Sequence, residues 1–345
     1  MLYLDHAATT PLLPAAHEAM LRGFEVWANP SSPHRTGRAA RAALEDARAR
    51  IGASLGWAGE IVFTSGASEA LALALTRTRT ARARAARVML SAVEHEAVLR
   101  PAGAGAARLA VDASGLIDPG EIAAADALVA VQHVNNETGV IQPIAQIGQA
   151  VRALGGVLLV DAAQSAGKIA LPHADLIALS AHKFGGPIGV GALLVRDFAL
   201  LEAPGGQERG YRGGTENLPG VLAMAAALEA GSGWMGEAER LRQRLEAGLA
   251  ALGGEVIAAA APRLAVIGSY RMPGRSANAQ LIRFDGMGIA VSAGSACSSG
   301  SLRTSHVLAA MGTPAPDEVI RVSIGRETSA ADIDRFLAAW AEIAA

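Results

Sequence analysis

Only two of the thirty Lys and Arg residues in this chain are lysines, Lys168 and Lys183. Lys183 sits in LIALSAHKFGGPIGVGALLV, where the apolar run Leu176 to Leu179 reads as a buried strand. That strand delivers Ser180, His182 and Lys183 to its carboxyl end, and Gly185 and Gly186 then leave backbone room for a ligand. A primary amine so placed can form a Schiff base with a carbonyl. Lys168, directly after Gly167, reads instead as part of a polar turn. The single cysteine, Cys297, lies in the small-residue run SAGSACSSGS. Such a run predicts a flexible loop, which suits a thiol that must attack one ligand and then present sulfur elsewhere. A lone cysteine is otherwise commonly an inert buried residue. Lysine and cysteine together point to a carbonyl cofactor and a mobile thiol.

Four further groups lie at predicted strand ends or loops, the place where open α/β sheets bind ligands, and a fifth, Arg321, lies within a strand. In FTSGASEA a strand runs into Gly66 and a helix opens around Ala67 and Ser68, whose free amides suit a phosphate; the plainer reading makes Ser68 an N-cap. Asp161 ends the apolar strand of GVLLVDAAQSAGK, with Gln164 three residues on. A carboxylate there could hold the protonated nitrogen of a pyridine ring, or merely cap a turn. His95 of VEHEAV could stack on an aromatic cofactor and move protons, or could simply be hydrogen-bonded structure. In VQHVNNETG, Asn135 and Asn136 are either turn residues or one of them bonds a ring oxygen. Arg321, inside the apolar strand of EVIRVSIGR, must be paired if buried, either by a substrate carboxylate or by an internal ion pair.

The elements that must position these groups alternate along the chain. EIVFTSG, RVMLSA, ALVAVQHV, GVLLVDAA, DLIALSA and GALLV read as strands, spaced by helical stretches at 37–55, 68–76 and 144–154, which argues for a mostly parallel α/β sheet. Helical composition resumes at 218–230. After the cluster Gly231, Gly233 and Gly236, a polar helix is expected over 237–252. Beyond it RLAVIGSY, NAQLIRF, IAVSAG and EVIRVSIG read as strands and 305–311 and 330–344 as helices, so a smaller α+β domain is expected.

Composition bounds the rest. A chain of 345 residues exceeds what one core usually covers, and 51% hydrophobic with 18% charged residues describes a folding chain. A formal net charge of −2 gives no electrostatic footprint for nucleic acid or an anionic membrane, so small molecules or proteins are the expected partners. One cysteine cannot form an intrachain disulfide, which fits a reducing compartment. The start MLYLDHAATTP has neither a basic nor an apolar leader region, and a cytoplasmic location is expected. No metal-ligand set is expected.

With LDHAATTP, NPSSPHRTG, FTSGASEA, HVNNETG, DAAQ, SAHK, ERGYRGGTEN and SAGSACSSG in this order, the chain resembles the pyridoxal-phosphate-dependent cysteine desulfurases of the class V aminotransferase superfamily over nearly its whole length. The similarity is greatest to the branch known from nitrogenase and iron–sulfur cluster assembly. The resemblance implies a fold-type I homodimer. Its large domain, over 15–232, would hold a mostly parallel seven-stranded sheet, and its small domain, from 1–14 and 233–345, the cysteine loop. It implies that Lys183 carries pyridoxal 5'-phosphate as a Schiff base, that Asp161 pairs with the ring nitrogen and that His95 stacks on the ring. Gln164 and Asn136 would bond the ring oxygen side. Ala67, Ser68, Ser180 and His182 would surround the phosphate, with Thr215 reaching it from a second subunit. Arg321, helped by Asn29, would hold the carboxylate of L-cysteine, and Cys297 would accept the sulfur as a persulfide while alanine leaves. A sulfur-accepting scaffold or carrier protein is implied as partner. Two departures stand out: Ile188 replaces a lysine common in the family, and, with Ala345 following soon after the last predicted helix, the tail that some relatives use to dock a scaffold is expected to be missing. Selenocysteine lyase and aminotransferase are rival reactions on the same scaffold, and a non-catalytic sulfur-relay protein is a rival of another class.

Overall fold

The computed structural model describes residues 1–80, 87–294 and 304–345. Its centre is a seven-stranded sheet in the order Glu60–Thr64, Gly191–Val195, Leu176–Ser180, Val157–Asp161, Leu128–Gln132, Val88–Ser91, Ala107–Leu109. Gly191–Val195 runs antiparallel to both its neighbours and the remaining pairs are parallel. The six expected strands are all in this sheet; the seventh, Ala107–Leu109, is only three residues long with two of them exposed, and carried no strand signal.

Continuous apolar runs form these strands because both faces are covered. Val129, Val131, Leu158, Val160, Ile177 and Leu179 pack on one face, beneath the helices Arg35–Leu55, Ile144–Ala153 and Leu218–Glu229. Leu128, Ala130, Leu159, Leu176 and Ala178 pack on the other, with the helix Ala67–Arg77. Alternate residues of each strand therefore serve opposite cores, the signature of a helix-covered parallel sheet. The helix Pro14–Glu25, which the sequence reading did not anticipate, lies on the first face with Ala16 fully buried.

A second, antiparallel sheet pairs Val319–Ser323 with Ile267–Arg271 and the latter with Glu255–Val256. Its core joins the helices Met235–Ala251 and Ala330–Ala344 around Phe284, Phe336 and Trp340, with Phe284 and Phe336 stacked at 5.0 Å. NAQLIRF is not a strand here but part of the helix Ala277–Gly286. Ser276 caps it by accepting from the Ala279 amide, and Ala277, Gln280 and Phe284 fall on one buried stripe at helical spacing. The chain start belongs with this part. Leu2–Tyr3 pairs in parallel with Ile289–Ala290, and Asp5 bridges to Ser323. The N-terminal turn is thereby laid between the two sheets, next to the carboxyl ends of the parallel strands.

Candidate active site

The parallel strands Val88–Ser91, Leu128–Gln132, Val157–Asp161 and Leu176–Ser180 all end at one edge of the large sheet, and a cleft of about 550 Å³ opens there. Of the residues singled out from sequence, Ala67, Ser68, His95, Asn136, Asp161, Gln164, Ser180, His182, Lys183 and Arg321 line it.

One end of the cleft is built for an anion. The helix Ala67–Arg77 starts there with Gly66 in the cap position and no side chain capping it, so Ser68 is inside the first turn and the capping reading of Ser68 does not hold. Uncapped amides and the positive end of the helix dipole face the space bounded by Ser180 and His182. Close approach is possible because position 191 is glycine; a Cβ there would lie 2.7 Å from the Gly66 Cα. His182 bonds Thr9 through Nδ1 at 3.1 Å, and burial first, then the Lys183 and Lys168 charges, brings its pKa down to about 4.

Lys183 follows Ser180 in a short 3₁₀ turn, and its Nζ donates to the backbone carbonyls of Ala7 (2.6 Å) and Ala8 (2.7 Å). The Ala7 carbonyl also accepts from Gln164 Nε2 at 2.9 Å, which leaves Gln164 Oε1 buried without a partner. Asp161 is buried at the end of its strand, and its Oδ1 accepts from the Ala163 amide at 2.9 Å. Burial raises its pKa; the Ala163 hydrogen bond, His95 and Lys183 oppose that rise. His95 accepts the Ala97 amide on Nδ1 at 3.1 Å, which caps its helix and places the ring proton on Nε2. Its pKa is lowered, chiefly by burial, so it is a neutral ring at pH 7.

The structure also separates near-equivalents. Asn135 is the turn residue: its Oδ1 accepts from the amides of Glu137 and Thr138, and its Nδ2 donates to Val93. Asn136 is left facing the cleft. Lys168 does lie in a turn, but a buried one. It is 6% exposed, and its Nζ donates to the Gln164 carbonyl at 3.0 Å. It lines a small cavity behind Lys183, about 20 Å³ and thus room for about one water, where no ring could enter. Arg321 is held by Asp5 and by the Asn136 carbonyl, so the internal ion pair foreseen as its plainer reading exists.

Two expected residues lie elsewhere. Asn29 and Thr215 line a separate surface pocket with Phe24, Trp27 and Pro219. Asn29 Oδ1 accepts from the Ser31 amide in a local turn, so within one chain it is not brought to Arg321. Cys297 lies outside the described residues; Ser292 on one side is paired with the Arg321 backbone, and Ser305 on the other donates to Glu137 Oε2 at 2.5 Å. Sequence reasoning missed Glu94, fully buried beside His95 with one carboxyl oxygen unpartnered and its pKa pushed up by burial. It also missed the Ala7–Thr10 segment as the wall that holds Lys183 and His182. Backbone acceptors carry no side-chain signal.

The family model for aminotransferase class-V matches residues 2–336. A cysteine desulfurase of Cereibacter sphaeroides is 38% identical, with 97% of this chain and 93% of the relative covered. Among solved structures, a NifS-like protein superposes with a TM-score of 0.87 at 31% identity, covering 99% and 98% of the two chains. SspA in complex with cysteine superposes at a TM-score of 0.81 and 30% identity, covering 94% of this chain and 99% of that one. Agreement of fold, strand-end site and relatives over nearly the full length leads to one conclusion: the chain belongs to the cysteine desulfurase group of the class-V aminotransferase family.

Proposed function

We propose that this protein is a cysteine desulfurase that binds pyridoxal 5'-phosphate in the cleft, takes the sulfur of L-cysteine and releases L-alanine. One observation carries the reading. An amine (Lys183), a buried carboxyl (Asp161), a neutral imidazole (His95), an uncapped helix N-terminus and a guanidinium (Arg321) line a single cleft. The residues fit the cofactor: the helix start at Ala67 and Ser68, with Ser180 and His182, would receive the phosphate; Asp161 would face the ring nitrogen; and Gln164, whose amide oxygen has no partner, would meet the ring's polar edge with Asn136. When bound, pyridoxal phosphate would supply a ring that takes up the electron pair left when the α-proton departs.

The chain's own groups do the rest. Lys183 would hold the cofactor and, once released, take the α-proton at Nζ, with the Ala7 and Ala8 carbonyls fixing where that nitrogen waits. Asp161 would keep a proton at the ring nitrogen, and His95 would stack as a neutral ring and exclude water. Arg321 would bind the substrate carboxylate. Cys297, as thiolate, would attack the substrate sulfur: an S–S bond forms on the enzyme, the carbon–sulfur bond breaks, and the three-carbon fragment leaves as alanine.

Supporting a homodimer, Thr215 and Asn29 share an exposed pocket with Phe24 and Trp27, the latter 81% exposed, and we place both residues against the cleft of a second subunit. Residues 15–232 would form the cofactor-binding unit and 1–14 with 233–345 the unit that carries Cys297. The sulfur would pass to an acceptor protein, serving iron–sulfur clusters or other thio-cofactors in the cytoplasm. Among the described residues no helix is long and apolar enough to cross a membrane.

The test is incubation of the purified protein with L-cysteine, measuring alanine and sulfide with and without a thiol reductant. Stoichiometric alanine, with sulfide released only when reductant is present, is expected. A colourless protein that gains no activity when supplied with pyridoxal phosphate would overturn the proposal.

A further inference from the structure

Arg321 is a cation of the cleft whose charge is met inside the protein by a carboxylate hydrogen-bonded to it. Its Nη2 donates to Asp5 Oδ1 at 2.8 Å and its Nη1 to the Asn136 carbonyl at 3.0 Å, while Nε is buried with no partner. The arginine side chain is 6% exposed and that of Asp5 21%. Arg321 lines the cleft and Asp5 does not, so the ion pair joins a cleft group to a carboxylate outside the cleft lining. The Asp5 backbone is held beside Arg321: it is bridged to Ser323, two residues past Arg321, and its carbonyl accepts from the Ala8 amide at 3.0 Å.

We propose that Asp5 is an affinity-setting residue: an internal counter-ion that neutralises the Arg321 clamp and so holds down the affinity of the site for amino-acid carboxylates. This rests on the reading of Arg321 as the substrate clamp. A buried guanidinium without a counter-charge is costly, and the first carboxylate to reach it recovers that cost as binding energy. Asp5 already supplies the counter-charge. A carboxylate arriving in the cleft therefore gains less, and also feels a second negative charge beside the guanidinium. The consequence is useful for turnover, since substrate and product share the same carboxylate: a clamp that bound cysteine tightly would bind alanine as tightly and delay its release.

The experiment uses the cofactor-loaded protein and two non-turnover probes, alanine and ethylamine, with binding followed by cofactor absorbance. Asp5→Asn keeps an acceptor for Nη2 and removes only the charge; Asp5→Ser is a second neutral variant should the first fold poorly. Expected is roughly three- to tenfold tighter alanine binding with ethylamine unchanged, the size of one partly solvated like-charge contact. Alanine should also raise the melting temperature of Asp5→Asn more than that of the wild type. Unchanged or weaker alanine binding, or equal tightening of both probes, overturns the proposal. Arg321→Ala separates the two ideas. If it leaves alanine binding intact, the clamp reading itself is wrong; if it weakens alanine while Asp5→Asn fails to tighten it, only the role of Asp5 falls.

Discussion

Replacing Lys168 by methionine should make the protein more stable near neutral pH and progressively less so as the pH rises. Lys168 is buried, its Nζ has one hydrogen bond, to the Gln164 carbonyl, and its cavity is lined by His6, Lys183 and Arg326 but by no acidic residue. Burial first, and the Lys183 charge second, brings its pKa from 10.5 down to about 7. Between those values the unfolded chain binds the proton and the folded one does not, so folding gains stability as pH rises; the gain is complete above 10.5 and is lost as pH falls to about 7. At ~1.4 kcal/mol per pH unit this interval corresponds to ~5 kcal/mol between its two ends. Methionine keeps the unbranched stem and does not titrate. The advantage of Lys168→Met over wild type should therefore be largest at pH 7 and shrink by ~5 kcal/mol toward pH 10.5, where the variant shows only the ~1 kcal/mol loss of one hydrogen bond. Urea unfolding of both proteins, stripped of cofactor and followed by tryptophan fluorescence at pH 7, 8.5 and 10, measures it. The comparison cancels most other titrations, because both chains share them. A stability difference that does not change with pH would refute the reasoning, since it would mean that Lys168 keeps an ordinary pKa in the folded chain.

Borohydride reduction of the loaded protein followed by peptide mapping should place the label on Lys183, because the Lys168 cavity admits no ring; label on Lys168 would sink the assignment. Asp161→Asn preserves the acceptor for the Ala163 amide, so the fold and some bound cofactor should survive while turnover at saturating cysteine drops by about a hundredfold or more; unchanged turnover would refute a role at the ring nitrogen. Cys297→Ser should abolish alanine and sulfide formation from cysteine while cofactor binding persists, because a hydroxyl is no soft nucleophile near neutral pH. Wild-type rates in that variant would end the persulfide mechanism, as the chain has no other cysteine. Charge placed in the exposed apolar patch by Phe24→Glu with Trp27→Glu should yield monomers on sedimentation and lower turnover; dimers of full activity would place the subunit contact elsewhere.

What the sequence alone determined was local in kind. Apolar runs ending in Asp161, Ser180 and Gln132 encode strands because both faces of the sheet are covered, and the chemistry-bearing residue appears where each run stops. Strand ends of one parallel sheet meet at one edge, so ten of the expected residues line one cleft. Where periodicity is ambiguous the local reading failed: NAQLIRF became a helix because a serine cap and a stripe toward Phe336 decided it, and Ala107–Leu109 became a strand through pairing with Val88–Ser91. Tertiary structure alone chose between near-equivalents. It set Lys183 in the large cleft and Lys168 in a cavity that holds about one water, and it gave Asn135 to the turn and Asn136 to the cleft. It moved Asn29 and Thr215 to a surface that one chain leaves open. The pairing of Asp5 with Arg321 spans 316 residues and follows from the chain start being laid beside the last strand. No local pattern encodes that partner, because an ion pair is fixed by which backbones lie adjacent, and adjacency is a property of the whole fold.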